Sequence, residues 1–176
     1  CLPDEILAML RRLREESGKD IWIELGLQSI HEATAERIHR GYPLTVFDDA
    51  YHRLKAAGFT VIVHVILGFP WETEDDMLAT IRYLSALKPT LDGIKLQLLH
   101  VLRGTELGRM YEAEPFRTFT LDEYCTLVVQ CLRLLPPTTV IHRITGDGPK
   151  RLLLAPLCSA DKKNVLNALN HAIHEA

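Results

Sequence analysis

Stretches of this sequence read as strands with one wholly apolar face and one face that carries polar groups. That pattern restricts the fold more than any other feature. In residues 21–27, I-W-I-E-L-G-L, alternation puts Ile21, Ile23, Leu25 and Leu27 on one side. Trp22, Glu24, Gly26 and Gln28 fall on the other. In residues 59–67, Val61, Val63, Val65 and Leu67 share a face opposite Ile62, His64, Ile66 and Gly68. In the stretch Ile94 to Val101, Ile94, Leu96 and Leu98 oppose Lys95, Gln97 and Leu99. A flat doubly wound sheet is covered by helices on both sides and favours apolar residues on both. One apolar face for helices and one polar-bearing face for an interior is the pattern of a parallel β/α barrel or part of one. Glu24, Gln28, His64, Lys95 and Gln97 are expected to converge on that interior, where polar groups need a ligand, a water or one another. The competing reading of Glu24 and Lys95 is an interior ion pair of structural use only.

The order of elements supports a parallel α/β fold. Asp4 to Leu13 has helical spacing at Ile6, Met9, Leu10 and Leu13, and Ser17-Gly18 ends it. Ser29 with Glu32, and Thr45 with Asp48, have capping-box spacing and predict two helices. The second of these buries Val46, Phe47, Ala50, Tyr51 and Leu54 and stops at Gly58. Thr73 is expected to cap a helix whose first turn holds Glu74, Asp75 and Asp76 and whose core face is Met77, Ile81 and Leu84. Thr120 and Glu123 open a long helix that ends at Pro136-Pro137. Val140 to Ile144 reads as a fourth strand, and Ser159 as the cap of a last helix. Helices alternating with strands mean β/α units. Residues 102–119 read as the longest irregular stretch, of the kind that is often functional. The expected organisation is one domain over 1–176: a helix of a preceding unit in 1–20, β/α units in 21–135, and a C-terminal strand and helix in 136–176.

Composition narrows the classes. The 176 residues are 47% hydrophobic and 24% charged, with a net charge of −3. That size supports one sizeable core. The charge gives no electrostatic case for nucleic acid. No apolar run approaches the ~20 residues of a membrane span, and no signal peptide is evident. Cys1, Cys125, Cys131 and Cys158 form no C-x-x-C pair, which fits free thiols in the cytoplasm. The chain starts at Cys1, partway into an apparent helix, and is expected to be the C-terminal part of a longer protein.

The segment His64–Thr73, H-V-I-L-G-F-P-W-E-T, locates the function. It is an apolar strand with an interior histidine, a Gly68/Pro70 turn and a helix cap. In α/β proteins ligands bind where strands end. A strand histidine is also a common satisfied core residue, and Gly68 and Pro70 serve equally as turn residues.

Together with E-L-G-L-Q-S at Glu24–Ser29, this segment resembles the radical S-adenosylmethionine superfamily, near its coproporphyrinogen-oxidase-like and Elongator-catalytic-subunit-like enzymes. L-L-H-V-L-R-G-T-E-L at Leu98–Leu107 and H-R-I-T-G-D-G-P at His142–Pro149 resemble a narrower group of uncharacterised Fe–S oxidoreductases. The resemblance implies the C-terminal half of a TIM-like partial barrel. It implies S-adenosylmethionine as cofactor and a 4Fe–4S cluster held by a C-x-x-x-C-x-x-C loop that this sequence lacks. The open iron of such a cluster binds the cofactor, and cleavage yields a 5′-deoxyadenosyl radical that abstracts hydrogen from substrate. By resemblance Gln28 touches the ribose, Arg40 reaches the cofactor's carboxylate, and Ile66 packs on adenine. Ile66 to Gly68 also offers backbone edges to that base. His64 stands where relatives carry a hydroxyl-binding aspartate; Glu24 and Gln97 complete the cofactor set. For Arg40, a helix-end cation beside Gly41 is the competing reading. His100, His142, Arg143 and Asp147 are expected at the barrel's C-terminal mouth as substrate-facing catalytic residues; for Asp147-Gly148-Pro149 a simple turn competes. The chain alone is expected to bind no cluster, to lack radical activity and to self-associate through the open edge of its first strand. Its substrate, RNA or a small molecule, is left open.

Other classes compete. His64, His100, His142 and Glu24 are ligand types that zinc accepts in a β/α-barrel hydrolase, although no H-x-H or H-E-x-x-H occurs. A non-catalytic assembly module is the third.

Overall fold

The computed structural model describes residues 2–146 and 148–175. Its helices are α1 (Asp4–Ser17), α2 (Glu32–Arg37), α3 (Leu44–Ala56), α4 (Glu74–Ser85), α5 (Glu106–Ala113), α6 (Leu121–Leu134) and α7 (Lys162–His174). Its strands are β1 (Trp22–Gln28), β2 (Thr60–Leu67), β3 (Gly93–Leu98), β4 (Val101–Leu102), β5 (Val140–Arg143) and β6 (Leu153–Ala155). Four strands form one parallel sheet in the order β1-β2-β3-β5. β4 and β6 form a separate antiparallel ribbon.

The predicted apolar faces carry the core. Val61, Val63, Val65 and Leu67 of β2 are buried beneath Phe47, Tyr51 and Leu54 of α3 and Met77, Ile81 and Leu84 of α4. Ile94, Leu96 and Leu98 of β3 join the same cluster with Tyr124, Val128 and Cys131 of α6 and Val165 and Leu169 of α7. Each such side chain contributes about 1.5–3 kcal/mol on burial, which favours placing α3, α4, α6 and α7 on this face. The opposite face carries none of these four helices: Trp22 at the start of β1 is 58% exposed. A parallel sheet covered on one side, with polar groups on the other, is a partial TIM-like barrel.

Local signals succeeded where their partners are local. Thr73 and Thr120 form capping boxes with Asp76 and Glu123. The other two predicted boxes do not form, because long-range carboxylates take the groups involved. Ser29 donates to Glu72 at 2.6 Å and accepts from the His31 N–H, so α2 begins without a side-chain cap. α3 begins after Pro43, and Glu32 accepts from the Leu44 N–H at 2.6 Å in place of Thr45. Asp161, not Ser159, caps α7; the Ser159 hydroxyl turns back to the Pro156 carbonyl.

Two further expectations are corrected. The strand predicted to run to Val101 leaves the sheet after Leu98, and its continuation pairs with β6. The stretch 102–119 is not wholly irregular. It contains α5, capped by Thr105, whose Gly108 sits where a Cβ would lie 2.1 Å from the Leu102 carbonyl oxygen.

Candidate functional site

The uncovered sheet face is arranged in tiers from the N-terminal to the C-terminal strand ends. Lowest lie Trp22 and His142, packed edge to face with ring centroids 5.3 Å apart. The His142 ring leans over Gly93, where a Cβ would come within 2.6 Å of Nε2. The sequence-based expectation put His142 and Arg143 at the C-terminal mouth. The structure puts His142 at the opposite end, because β5 pairs only with the first half of β3, with a register shift at Ile94/Lys95. Arg143 lines a groove of about 470 Å³ beside Leu166 and Ile173 of α7.

The middle tier brings together Glu24, His64, Lys95 and Gln97, as the alternation predicted. Lys95 Nζ donates to Glu24 Oε1 at 2.5 Å. His64 Nε2 lies 2.6 Å from Glu24 Oε2, and Gln97 Nε2 lies 3.2 Å from His64 Nδ1. A donating Gln97 amide assigns the proton to Nε2, which then donates to Glu24. The Lys95 hydrogen bond, helped by that from His64, holds the Glu24 carboxyl below its ordinary value against the opposing effect of burial. Both His64 nitrogens are engaged, so the imidazole meets a ligand only by releasing Glu24 or Gln97.

At the C-terminal strand ends an open cavity of about 1000 Å³ begins. Gly26, Gln28 and Ile66 form its floor, Tyr42, Phe69 and Trp71 one wall, and Leu107 and Met110 of α5 the other. Gln28 reaches this cavity rather than the polar tier. A bulge between Gly26 and Gln28 shifts the register, and Gln28 takes a left-handed φ of 61°. Oriented to suit its neighbours, the Gln28 amide donates to the Gly26 and Leu27 carbonyls at 2.8 and 3.0 Å. Its amide oxygen is then available to a ligand hydroxyl. The Tyr42 hydroxyl also donates to the Gly26 carbonyl, and burial pushes its pKa up.

Arg40 borders the cavity with its side chain only 2% exposed. Its guanidinium donates to the carbonyls of Leu27, Ser29 and Tyr42 and to Glu32. Of the five N–H donors of an arginine this leaves one. Arg40 therefore braces the C-terminal end of β1 and the loop at Tyr42; none of its partners is a carbonyl of the last turn of α2. Gly68 is displaced from the expected set as well. With φ at 103° it packs under Phe119 and lines a smaller cavity of about 150 Å³ with Pro70 and Met77. His100 does lie at this end of the sheet, where Nδ1 accepts from the Gly148 N–H at 3.2 Å. Asp147 lies outside the described residues.

Arg37, His39, Tyr42 and Trp71 border the cavity and were not singled out from sequence. R-I-H-R and the Trp71 of His64–Thr73 were the available signals. No group of three or more His, Cys, Asp or Glu side chains that could hold a metal occurs among the described residues. Glu24 and His64 touch, but His100 and His142 lie at opposite ends of the sheet, which removes the basis of a zinc hydrolase. Cys125 and Cys131 are buried in the core face of α6.

Comparison with known proteins agrees with this geometry. The Radical SAM superfamily model matches residues 2–84, and the Radical_SAM C-terminal domain model matches 91–175. Uncharacterized protein YtqA of Bacillus subtilis is 38% identical over 97% of this chain and 52% of its own length. Protein YhcC of Escherichia coli is 30% identical over 99% of this chain and 56% of its own. Human Elongator complex protein 3 is 28% identical over 74% of this chain and 24% of its own. The chain thus spans about half the length of the bacterial relatives it matches. The solved archaeal Elp3 of Methanocaldococcus infernus, with an N-terminal deletion, superposes with a TM-score of 0.75 at 19% identity. That match covers 97% of this chain and 39% of the other, and it supports the partial-barrel fold. Two family models that together run almost from end to end, over a one-sided parallel sheet, lead to one conclusion: the chain belongs to the radical SAM superfamily.

Proposed function

We propose that the large cavity holds the adenosine part of S-adenosylmethionine and that the chain forms the nucleoside side of a radical SAM enzyme. The observation that carries this reading is the convergence of Gln28 and Ile66, from different strands, on one cavity floor. The residues present fit a nucleoside. Gln28 offers an amide oxygen to a ribose hydroxyl, and Ile66 with Leu99 offers a flat apolar surface to adenine. A cavity of about 1000 Å³ is at the upper end of the range for small-ligand sites. Bound at a 4Fe–4S cluster, this cofactor supplies a 5′-deoxyadenosyl radical for hydrogen abstraction. The described residues provide no ligand set for such a cluster. What this chain contributes is position and exclusion of water.

Two related assignments accompany the proposal. Among the described residues Cys125, Cys131 and Cys158 are free thiols, and no helix is long and apolar enough to cross a membrane. The free thiols support a cytoplasmic assignment. Trp22 on the uncovered face and Ile6, Met9 and Leu13 along one side of α1 are exposed, which supports self-association of this chain.

Calorimetric titration with 5′-methylthioadenosine tests the function, because this ligand carries the adenosine without the amino acid. Binding to the wild-type chain that Gln28→Ala weakens is the expected result. Equal affinity for the wild type and Gln28→Ala, or none for the wild type, refutes it.

A further inference from the structure

The cavity also has one cation on its rim that no carboxylate pairs among the described residues. Arg37 ends α2, lies exposed at the cavity edge, and holds its guanidinium 5.0 Å from the centre of the Trp71 ring. Among the described residues it makes no hydrogen bond or ion pair. Arg40, the neighbouring cation, has four donors engaged by the protein. Glu106 is the one carboxylate among the cavity's described residues, and it belongs to the first turn of α5 on the other wall.

Trp71 is a fixed platform. Its Nε1 donates to Thr34 Oγ1 at 2.9 Å, and that hydroxyl donates to Glu72 at 2.6 Å. Phe69 stacks on it with centroids 5.5 Å apart and planes 15° from parallel. An arginine parked over a rigid ring loses little entropy when it takes up a planar oxyanion, and the fork of a guanidinium suits that shape. The favourable position of a cation at the end of α2 accounts for a charge there. It does not account for the guanidinium's placement against a fixed aromatic wall at the edge of a ligand-sized cavity.

We propose that Arg37 and Trp71 form an oxyanion subsite that takes a carboxylate or phosphate beside the adenosine. The placement of that group relative to adenosine rests on the function proposed above. The two sources of such a group are the amino-acid end of the cofactor and the substrate.

The test uses the chain in a Trp22→Phe background, where Trp71 is the remaining tryptophan and reports on its own surroundings. Emission is titrated with S-adenosylmethionine, with 5′-methylthioadenosine, and with phenyl phosphate in the presence of saturating 5′-methylthioadenosine. Arg37→Gln is expected to lower affinity for the anionic probe by about ten- to hundredfold, as for a charge-assisted hydrogen bond, and Arg37→Lys by less. If Arg37→Gln erases the preference for S-adenosylmethionine over 5′-methylthioadenosine, the subsite holds the cofactor's carboxylate. If that preference survives and phenyl phosphate binding is lost, it holds a substrate oxyanion. If Arg37→Gln matches its parent with both S-adenosylmethionine and phenyl phosphate, the subsite does not exist. If 5′-methylthioadenosine fails to bind the parent, the function proposed above falls, while phenyl phosphate added alone still judges Arg37.

Discussion

Replacing Gly26 by alanine probes the cavity floor with little collateral damage. A Cβ at this position would lie 2.6 Å from the Gln28 amide atom that is the oxygen in the orientation that suits its neighbours, and 3.5 Å from Cδ and from the other amide atom. Gly26 is not among the positive-φ residues, so its backbone accepts alanine without strain. The Gln28 amide must retreat by roughly 1 Å to reach an ordinary contact distance. In retreating it gives up its bonds to the Gly26 and Leu27 carbonyls. Neither carbonyl is orphaned, because Tyr42 still donates to the first and Arg40 to the second. Two hydrogen bonds at about 1 kcal/mol each are lost, offset by roughly 0.5–1 kcal/mol from replacing glycine inside a strand. The expected net loss in urea denaturation is therefore about 1 kcal/mol. Affinity for 5′-methylthioadenosine, measured by calorimetry, should fall by about tenfold or more, since 1.4 kcal/mol is a factor of ten. Wild-type affinity in this variant would refute the placement of the nucleoside against Gln28. A stability loss beyond about 3 kcal/mol would show that Gly26 serves packing in the way large core changes do.

Other predictions address the scaffold. Lys95→Met removes the main group that holds the Glu24 pKa below 4.5. In the wild type the Glu24 carboxylate stabilises the fold above its unfolded pKa, and the contribution is lost as pH falls through the lower folded value. Urea midpoints between about pH 3 and 6 should therefore fall less steeply on acidification in Lys95→Met than in the wild type. Thr120→Ala breaks the capping box of α6 and should cost about 1 kcal/mol in the same assay. Burial pushes the Cys131 thiol up to about 12, so mass spectrometry after labelling at pH 8 should find Cys131 modified only in denaturant.

The helices and strands that were legible in sequence have determinants a few residues apart. Alternation in β2 and the Thr73 and Thr120 boxes are read from neighbours, and each reappears in the fold. Ser29 and Thr45 carry the same spacing, yet Glu72 and Glu32 decide those helix starts from far along the chain. α5 escaped because it is short and carries Gly108 in its middle, a residue required by close approach to Leu102. The polar tier was legible because Glu24, His64, Lys95 and Gln97 obey simple alternation. The cavity was legible only in part. A bulge redirects Gln28, and β5, which pairs only with the first half of β3, leaves His142 at the other end of the sheet. Arg40 was identifiable as a residue near the site. Its engagement with three backbone carbonyls depends on the path of the chain after β1, which no local pattern encodes.

The central claim is that adenosine sits on Ile66. Methyl NMR of the isoleucine-labelled chain, titrated with 5′-methylthioadenosine, tests it most directly. A saturable shift of the Ile66 methyl resonance is expected, with Ile81 and Ile94 on the helix-covered side unmoved. A silent Ile66, or shifts confined to Ile141, Ile144 and Ile173 at the groove beside α7, would contradict it.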